Sequence, residues 1–335
     1  MRDLLHRLAV PRFTPPRLLS NPHLQTMLVP YLPARAPRHV EPVKIPIEAG
    51  ALAGSLHRAD AARDARGCVL LLHGIAGTSD EPFIVRSARL ANARGLDALR
   101  LDLRGAGNSA ACGPAPLYHA GLTDDVRAAL TFLLQRYAAV HAVGFSLGGQ
   151  LVLRTLGEWG GDAPRGVASV TAIAPPVDLG ECATWSERRQ AALYRVYILR
   201  ALRLRYAAAR EAMGPSFTAD LVRSARTIRQ YDAAVVAPFF GFRDVDEYYA
   251  RASAASVIDR IAAPTLIVHA ADDPLVSVEP VIRVRARGLP NVRVVVTEHG
   301  GHVGFYGGVP SHGDATPFWA EERAIDLAAA VSAAA

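Results

Sequence analysis

Short, largely apolar runs recur along this chain, and each is followed by a stretch with helical spacing. Cys68-Val69-Leu70-Leu71-Leu72, ending at His73-Gly74, is such a run and reads as a strand buried on both faces. The pattern then predicts a helix over 81–94, a strand over 96–101, a helix over 123–137 and a strand over 139–144. A helix from Leu147 and a strand over 167–173 follow. Strands apolar on both faces, alternating with helices, predict an α/β fold whose mostly parallel central sheet carries helices on both sides. The alternation stops over 178–261 and resumes with the strands Thr265-Leu266-Ile267-Val268 and Val292-Arg293-Val294-Val295-Val296, before an alanine-rich helix over 317–334. The interposed segment is helical in spacing, basic, and rich in aromatic residues. An insertion between two halves of one sheet predicts a helical cap. Residues 1–50 are too rich in proline for a long helix and read as an arm wrapping the core, which leaves 51–335 as one domain carrying the cap.

Composition narrows the choice of function. Half of the 335 residues are apolar and 20% are charged, which supplies a large core and excludes a disordered regulator. Basic side chains number 37 against 31 acids, all arginine except Lys44. They are scattered among acids rather than gathered on one stretch, so no nucleic-acid partner is expected. Cys68, Cys112 and Cys182 lie far apart without metal-ligand spacing, as expected of buried thiols in a reducing compartment. The apolar stretch at the start is too short for a signal peptide, and no apolar run approaches the roughly 18 residues of a membrane span, so a cytoplasmic location is expected. The stretch 187–210 spaces seven arginines between leucines and valines. That describes an amphipathic helix able to rest transiently on an anionic lipid surface, or equally a solvated helix of the cap.

The chemistry centres on Gly144-Phe145-Ser146-Leu147-Gly148, which closes a predicted strand and opens a predicted helix. That is the setting of a nucleophile elbow, in which flanking glycines permit a turn tight enough to lift the serine hydroxyl clear of the sheet. A serine hydroxyl needs a base. His302, in Gly300-Gly301-His302 after the last predicted strand, is the candidate, with His299 as its rival. Asp273, in Asp272-Asp273-Pro274 after the strand before it, is the candidate orienting acid, with Asp272 beside it. The order serine, acid, histidine is that of hydrolases with such an elbow. Backbone amides of Ile75, in the loop after His73, and of Leu147 are placed to hold an oxyanion. Phe239, Phe240 and Phe242 of the cap are candidates for an acyl-binding wall, or else for docking the cap onto the sheet. No metal or organic cofactor is expected, since no motif for one is present.

These motifs resemble the alpha/beta-hydrolase superfamily and, within it, the YheT-like hydrolases. The resemblance spans nearly the whole chain. It includes Asn21-Pro22-His23-Leu24-Gln25-Thr26, specific to that group, together with the His73 loop and the string from Asp102 to Ser109. Tyr118-His119-Ala120-Gly121 and the three motifs just described match as well. It implies a carboxylic-ester hydrolase with Ser146, Asp273 and His302 as its triad; the expected substrates are small-molecule or lipid esters, either short- to medium-chain acyl esters or lipid esters. An acyltransferase using an alcohol acceptor on the same triad, or a catalytically silent binding module, are the alternatives.

Overall fold

The apolar runs become the strands of one eight-stranded sheet, ordered β1-β2-β4-β3-β5-β6-β7-β8. In chain order these are β1 (Val40–Ile47), β2 (Gly50–His57), β3 (Cys68–Leu72), β4 (Asp97–Leu101), β5 (Val140–Phe145), β6 (Val167–Ile173), β7 (Thr265–Ala270) and β8 (Val292–Thr297). The computed structural model describes residues 5, 8–37, 40–48, 50–59, 65, 67–113, 117–310 and 313–334. Most of the start, on which the expectation of no targeting segment rests, lies outside them. From β4 to β8 the strands run parallel, while β1 and β2 add an antiparallel hairpin at one edge.

That hairpin corrects the expected boundary at residue 50, because β1 belongs to the sheet and not to the arm. Pro42 and Pro46 argued against a strand, yet an edge strand tolerates proline, since one of its sides has no ladder to supply with N–H donors. Val43 and Ile45 point into the core from it.

Alternate strand residues feed two cores. Leu70, Leu72, Leu99 and Leu101 face one, with helices α3 (Thr123–Leu134) and α4 (Leu147–Trp159) and, after β7, α9 (Glu279–Ala286). Val69, Leu71 and Ala98 face the other, with α2 (Pro82–Ala93) and α10 (Trp319–Ala334). The arm lies across this second side. Phe13 packs on Phe305 and Trp319 with ring centroids 5.8 and 5.7 Å apart, and the Trp319 indole donates to the Pro11 carbonyl. Within the arm, a two-turn helix, α1 (Pro22–Leu28), is capped by Asn21, whose side chain accepts the His23 and Leu24 amides.

Between β6 and β7 the chain forms α5 (Leu179–Ser186), α6 (Ala192–Met213), α7 (Ile228–Tyr231) and α8 (Val245–Ala252). The long helix begins at Ala192, after a tight turn over Arg189–Ala191, so Arg188 and Arg189 precede it. These helices bury Ile198, Leu202, Tyr206, Val235 and Tyr249 in a third core, which Leu117 and Leu147 of the sheet side complete. Of the cysteines only Cys68 is fully buried; Cys112 and Cys182 are partly exposed, and all three are free thiols.

Candidate active site

Ser146 stands at the turn from β5 into α4 with φ 52° and ψ −117°, a conformation L-residues rarely adopt and one that aims the side chain off the sheet edge. Gly148 makes the turn possible: a Cβ there would lie 2.5 Å from the Leu72 carbonyl oxygen and 2.6 Å from that of His73. The Ser146 hydroxyl is 2.9 Å from Nε2 of His302, and Nδ1 of His302 is 2.8 Å from Oδ2 of Asp273. A carboxylate only accepts, so Nδ1 carries the proton and Nε2 is the free acceptor for the serine O–H. The other Asp273 oxygen accepts the Leu275 and Val276 amides at 2.8 and 2.9 Å. Burial by itself pushes the Asp273 carboxyl up, but the charge of His302 and its hydrogen bond, with His269 and the Val276 amide, hold it below the ordinary range.

The two rivals pair with each other instead. Asp272 lies 3.3 Å from His299 Nδ1 and accepts the Gly301 amide at 2.9 Å. Neither reaches Ser146; together they brace the loop that carries His302. A third histidine, His269, lies fully buried in β7 and was not singled out in the sequence. Its Nδ1–H donates to the Ala270 carbonyl, leaving Nε2 4.0 Å from Asp273.

The loop after β3 folds back over the serine, and a Cβ on Gly74 would come within 3.2 Å of the Ser146 Cβ. The Ile75 and Leu147 amides have no protein acceptor among the described residues. The Ala76 amide is held by the Tyr118 hydroxyl at 2.7 Å, and Arg205 of α6 donates to the Gly77 carbonyl at 2.6 Å. His73 is structural: its Nδ1–H donates to the Gly74 carbonyl, and Nε2 accepts the Leu103 amide. Burial lowers its pKa to about 4, so it stays neutral. Asp102 is likewise a brace, accepting the Ser79 and Asn108 amides.

The Asn21–Thr26 string had no assigned role in the sequence, and here it clamps the histidine loop. Thr26 Oγ1 accepts the His302 amide at 2.8 Å and donates to the Pro22 carbonyl at 2.7 Å. Gln25, wholly buried, accepts the Tyr306 amide and donates to the Tyr306 and Leu19 carbonyls. The contact is so close that a Cβ on Gly301, at φ +57°, would meet the Pro22 oxygen at 2.5 Å and Thr26 Oγ1 at 2.7 Å. The family resemblance singled out this segment, but nothing in its residues says which loop it touches.

Two cavities meet at Ser146. The inner one, about 110 Å³, runs beneath the helices inserted between β6 and β7. Its wall is chiefly apolar, including Leu117, Leu179, Leu202 and Val236. Asp232 also faces it from a π-helical turn over Asp232–Val236, where it accepts the Tyr249 hydroxyl at 2.7 Å. Burial raises the Asp232 pKa to about 7 against the opposing Tyr249 bond and Arg229. The outer cavity, about 380 Å³, is lined by Thr26, Met27, Tyr31, Leu193, Tyr197 and His302 among others.

Phe239, Phe240 and Phe242 line neither cavity, which corrects the expected acyl wall. Phe240 and Phe242 pack behind His119, with ring centroids 4.3 and 5.5 Å away, and Phe239 packs edge-on against Phe217. The turn at Gly241, φ +73°, swings these rings to the back of the wall that Val236, Tyr248 and Tyr249 form.

Comparison with known proteins agrees with this architecture. The family model for the alpha/beta hydrolase fold matches residues 67–309. "Putative esterase YheT" of Escherichia coli (strain K12) is 32% identical over 327 residues, covering 94% of this chain and 92% of that protein. "Phospholipase ABHD3" of Mus musculus is 29% identical over 247 residues, and that match takes in 73% of this chain but only 59% of the mouse protein. Among solved structures, the Pyrococcus furiosus esterase Pf2001 superposes with a TM-score of 0.53 at 17% identity, over 88% of this chain and 91% of that one; at this identity the likeness is one of fold.

Proposed function

Because the chain belongs to the alpha/beta hydrolases of the YheT-like group, and so is a carboxylic-ester hydrolase, we propose that it cleaves its ester through an acyl-enzyme on Ser146. The hydrogen-bonded chain from Ser146 through His302 to Asp273 carries this reading. Ser146 Oγ attacks the ester carbonyl as Nε2 of His302 takes its proton. Asp273 keeps the imidazole in the tautomer whose free nitrogen faces the serine, and its charge stabilises the imidazolium that forms. The Ile75 and Leu147 amides, at the loop after β3 and the N-terminus of α4, receive the developing oxyanion. His302 then returns the proton to the departing alkoxide, and a water deprotonated by the same nitrogen releases the acid.

The cap lies over residues 178–261, with the acyl chain in the inner cavity below it and the alcohol part in the outer one. An apolar wall gives up to ~0.8 kcal/mol for each methylene buried, which favours short- to medium-chain acyl esters or lipid esters until the cavity ends. A fluorophosphonate probe with a p-nitrophenyl ester series tests the reading. Covalent labelling should be abolished in Ser146→Ala, and turnover on every ester should fall by several orders of magnitude. Near-native turnover of that variant would remove Ser146 from the mechanism.

A further inference from the structure

Large apolar side chains exposed to solvent are concentrated on one part of this molecule. Among the described residues, all but Val40 and Val309 lie on the N-terminal arm or on α6. On α1 and the turn after it, Leu24, Met27, Leu28 and Tyr31 are exposed at helical spacing, so they form one outward stripe. On α6, Leu193, Val196, Tyr197 and Leu204 form a second, on the side opposite the buried Ile198, Leu202 and Tyr206. The two stripes adjoin. The Tyr31 and Tyr197 hydroxyls are 3.3 Å apart, and the His23 ring stacks on Tyr194 between them. Met27 and Tyr31 from one stripe, with Leu193 and Tyr197 from the other, also line the outer cavity that ends at Ser146. A monomer rarely leaves such a patch in water without a use for it.

The charge around the patch is predominantly positive, although Glu81 also lines the outer cavity. Residues 4–40 contain no Asp or Glu but include Arg12 and Arg17, both exposed. On α6 itself Glu211 is the lone acid, while Arg200 stands exposed within the stripe and Arg188 and Arg189 are exposed just before the helix, beside Glu187. A second copy of this chain docked face to face would set these arginines against each other.

We propose that this face docks on an anionic lipid bilayer and holds the mouth of the outer cavity against the interface. Leucine, methionine and tyrosine side chains enter the boundary between headgroups and acyl chains, and the arginines meet anionic headgroups. An ester dissolved in the bilayer then reaches Ser146 through the outer cavity without crossing water. The proposal rests on the ester-hydrolase reading for the purpose of the surface but not for its existence.

The test is sedimentation of the full chain with vesicles of phosphatidylcholine, with and without phosphatidylglycerol. Wild type and Ser146→Ala should both sediment with the phosphatidylglycerol vesicles, less so as salt is raised. The triple variant Leu28→Ser, Val196→Ser, Leu204→Ser alters exposed residues outside both cavities and outside the Asn21–Thr26 clamp. It should bind at least about tenfold more weakly while hydrolysing soluble p-nitrophenyl acetate as wild type does. Arg200→Glu should weaken binding in the same direction. The proposal is overturned if wild type stays in the supernatant, if it binds pure phosphatidylcholine equally well, or if the triple variant binds undiminished. A wild-type dimer in light scattering, lost in the triple variant and without vesicle binding, would make the patch a self-association face instead.

Discussion

Replacing Thr26 by valine keeps the side chain's shape and removes one oxygen, which isolates what the arm does for the site. In the native protein that oxygen accepts the His302 amide at 2.8 Å and donates to the Pro22 carbonyl at 2.7 Å. His302 is only 8% exposed, so its amide loses a partner that water cannot readily replace. Leaving a buried donor unsatisfied costs about 1–3 kcal/mol. The loop has an alternative to bearing that cost: it can shift, taking the imidazole away from Ser146. If about 2 kcal/mol falls on the productive position, the rate drops about 30-fold, since each 1.36 kcal/mol is tenfold. Valine keeps the shape that Thr26 gives the outer cavity, and neither the inner cavity nor the oxyanion amides are touched, so the loss should appear in kcat with KM little changed. Steady-state kinetics on a soluble p-nitrophenyl ester reads this split. Thr26→Ser restores the oxygen and should recover most of the rate. The reasoning fails if Thr26→Val keeps kcat within about twofold of wild type, or if the serine variant is as impaired as the valine one.

The two aspartate–histidine pairs should separate by function: His302→Ala and Asp273→Asn should each reduce kcat far more than His299→Ala and Asp272→Asn, and a reversed ranking in either pair would reassign that residue. Asp232 predicts a pH effect on stability. Its carboxyl holds its proton to about pH 7 when folded but releases it near 3.8 when unfolded, so the stability it contributes is present below 3.8 and lost as pH rises through 7. Relative to Asp232→Asn, which is neutral throughout, wild type should therefore lose melting temperature between those values; a constant difference across that window would refute the assignment. Phe240→Ala, behind the cavity wall, should lower the melting temperature and slow short and long esters by one common factor, whereas a shifted chain-length optimum would place the ring in the substrate's path.

Much of the fold is local in origin, and the local part was legible. The runs at β3 to β7 are largely apolar and buried on both faces because helices cover both sides of the sheet, and that shows in the residues themselves. Ser146 was legible for the same reason: the elbow's requirement for small neighbours is met within a few positions of the chain. The prolines of β1 hid a strand because what permits them, a free edge, exists only once the sheet is assembled.

What distinguishes His302 from His299, and Asp273 from Asp272, is a matter of direction. Adjacent positions in a tight loop point to different places, and the loop takes its path from Gly301 pressed against Pro22 and Thr26, far away in sequence. The same holds for the aromatic residues of 178–261. Composition marked them as wall or packing, but only the turn at Gly241 put Phe239, Phe240 and Phe242 behind the wall and left the lining to Tyr248 and Tyr249. The outward stripes of α1 and α6 are each readable from helical spacing. That they lie side by side at the mouth of one cavity is a long-range contact, set by how the arm crosses the assembled domain, which no local pattern encodes.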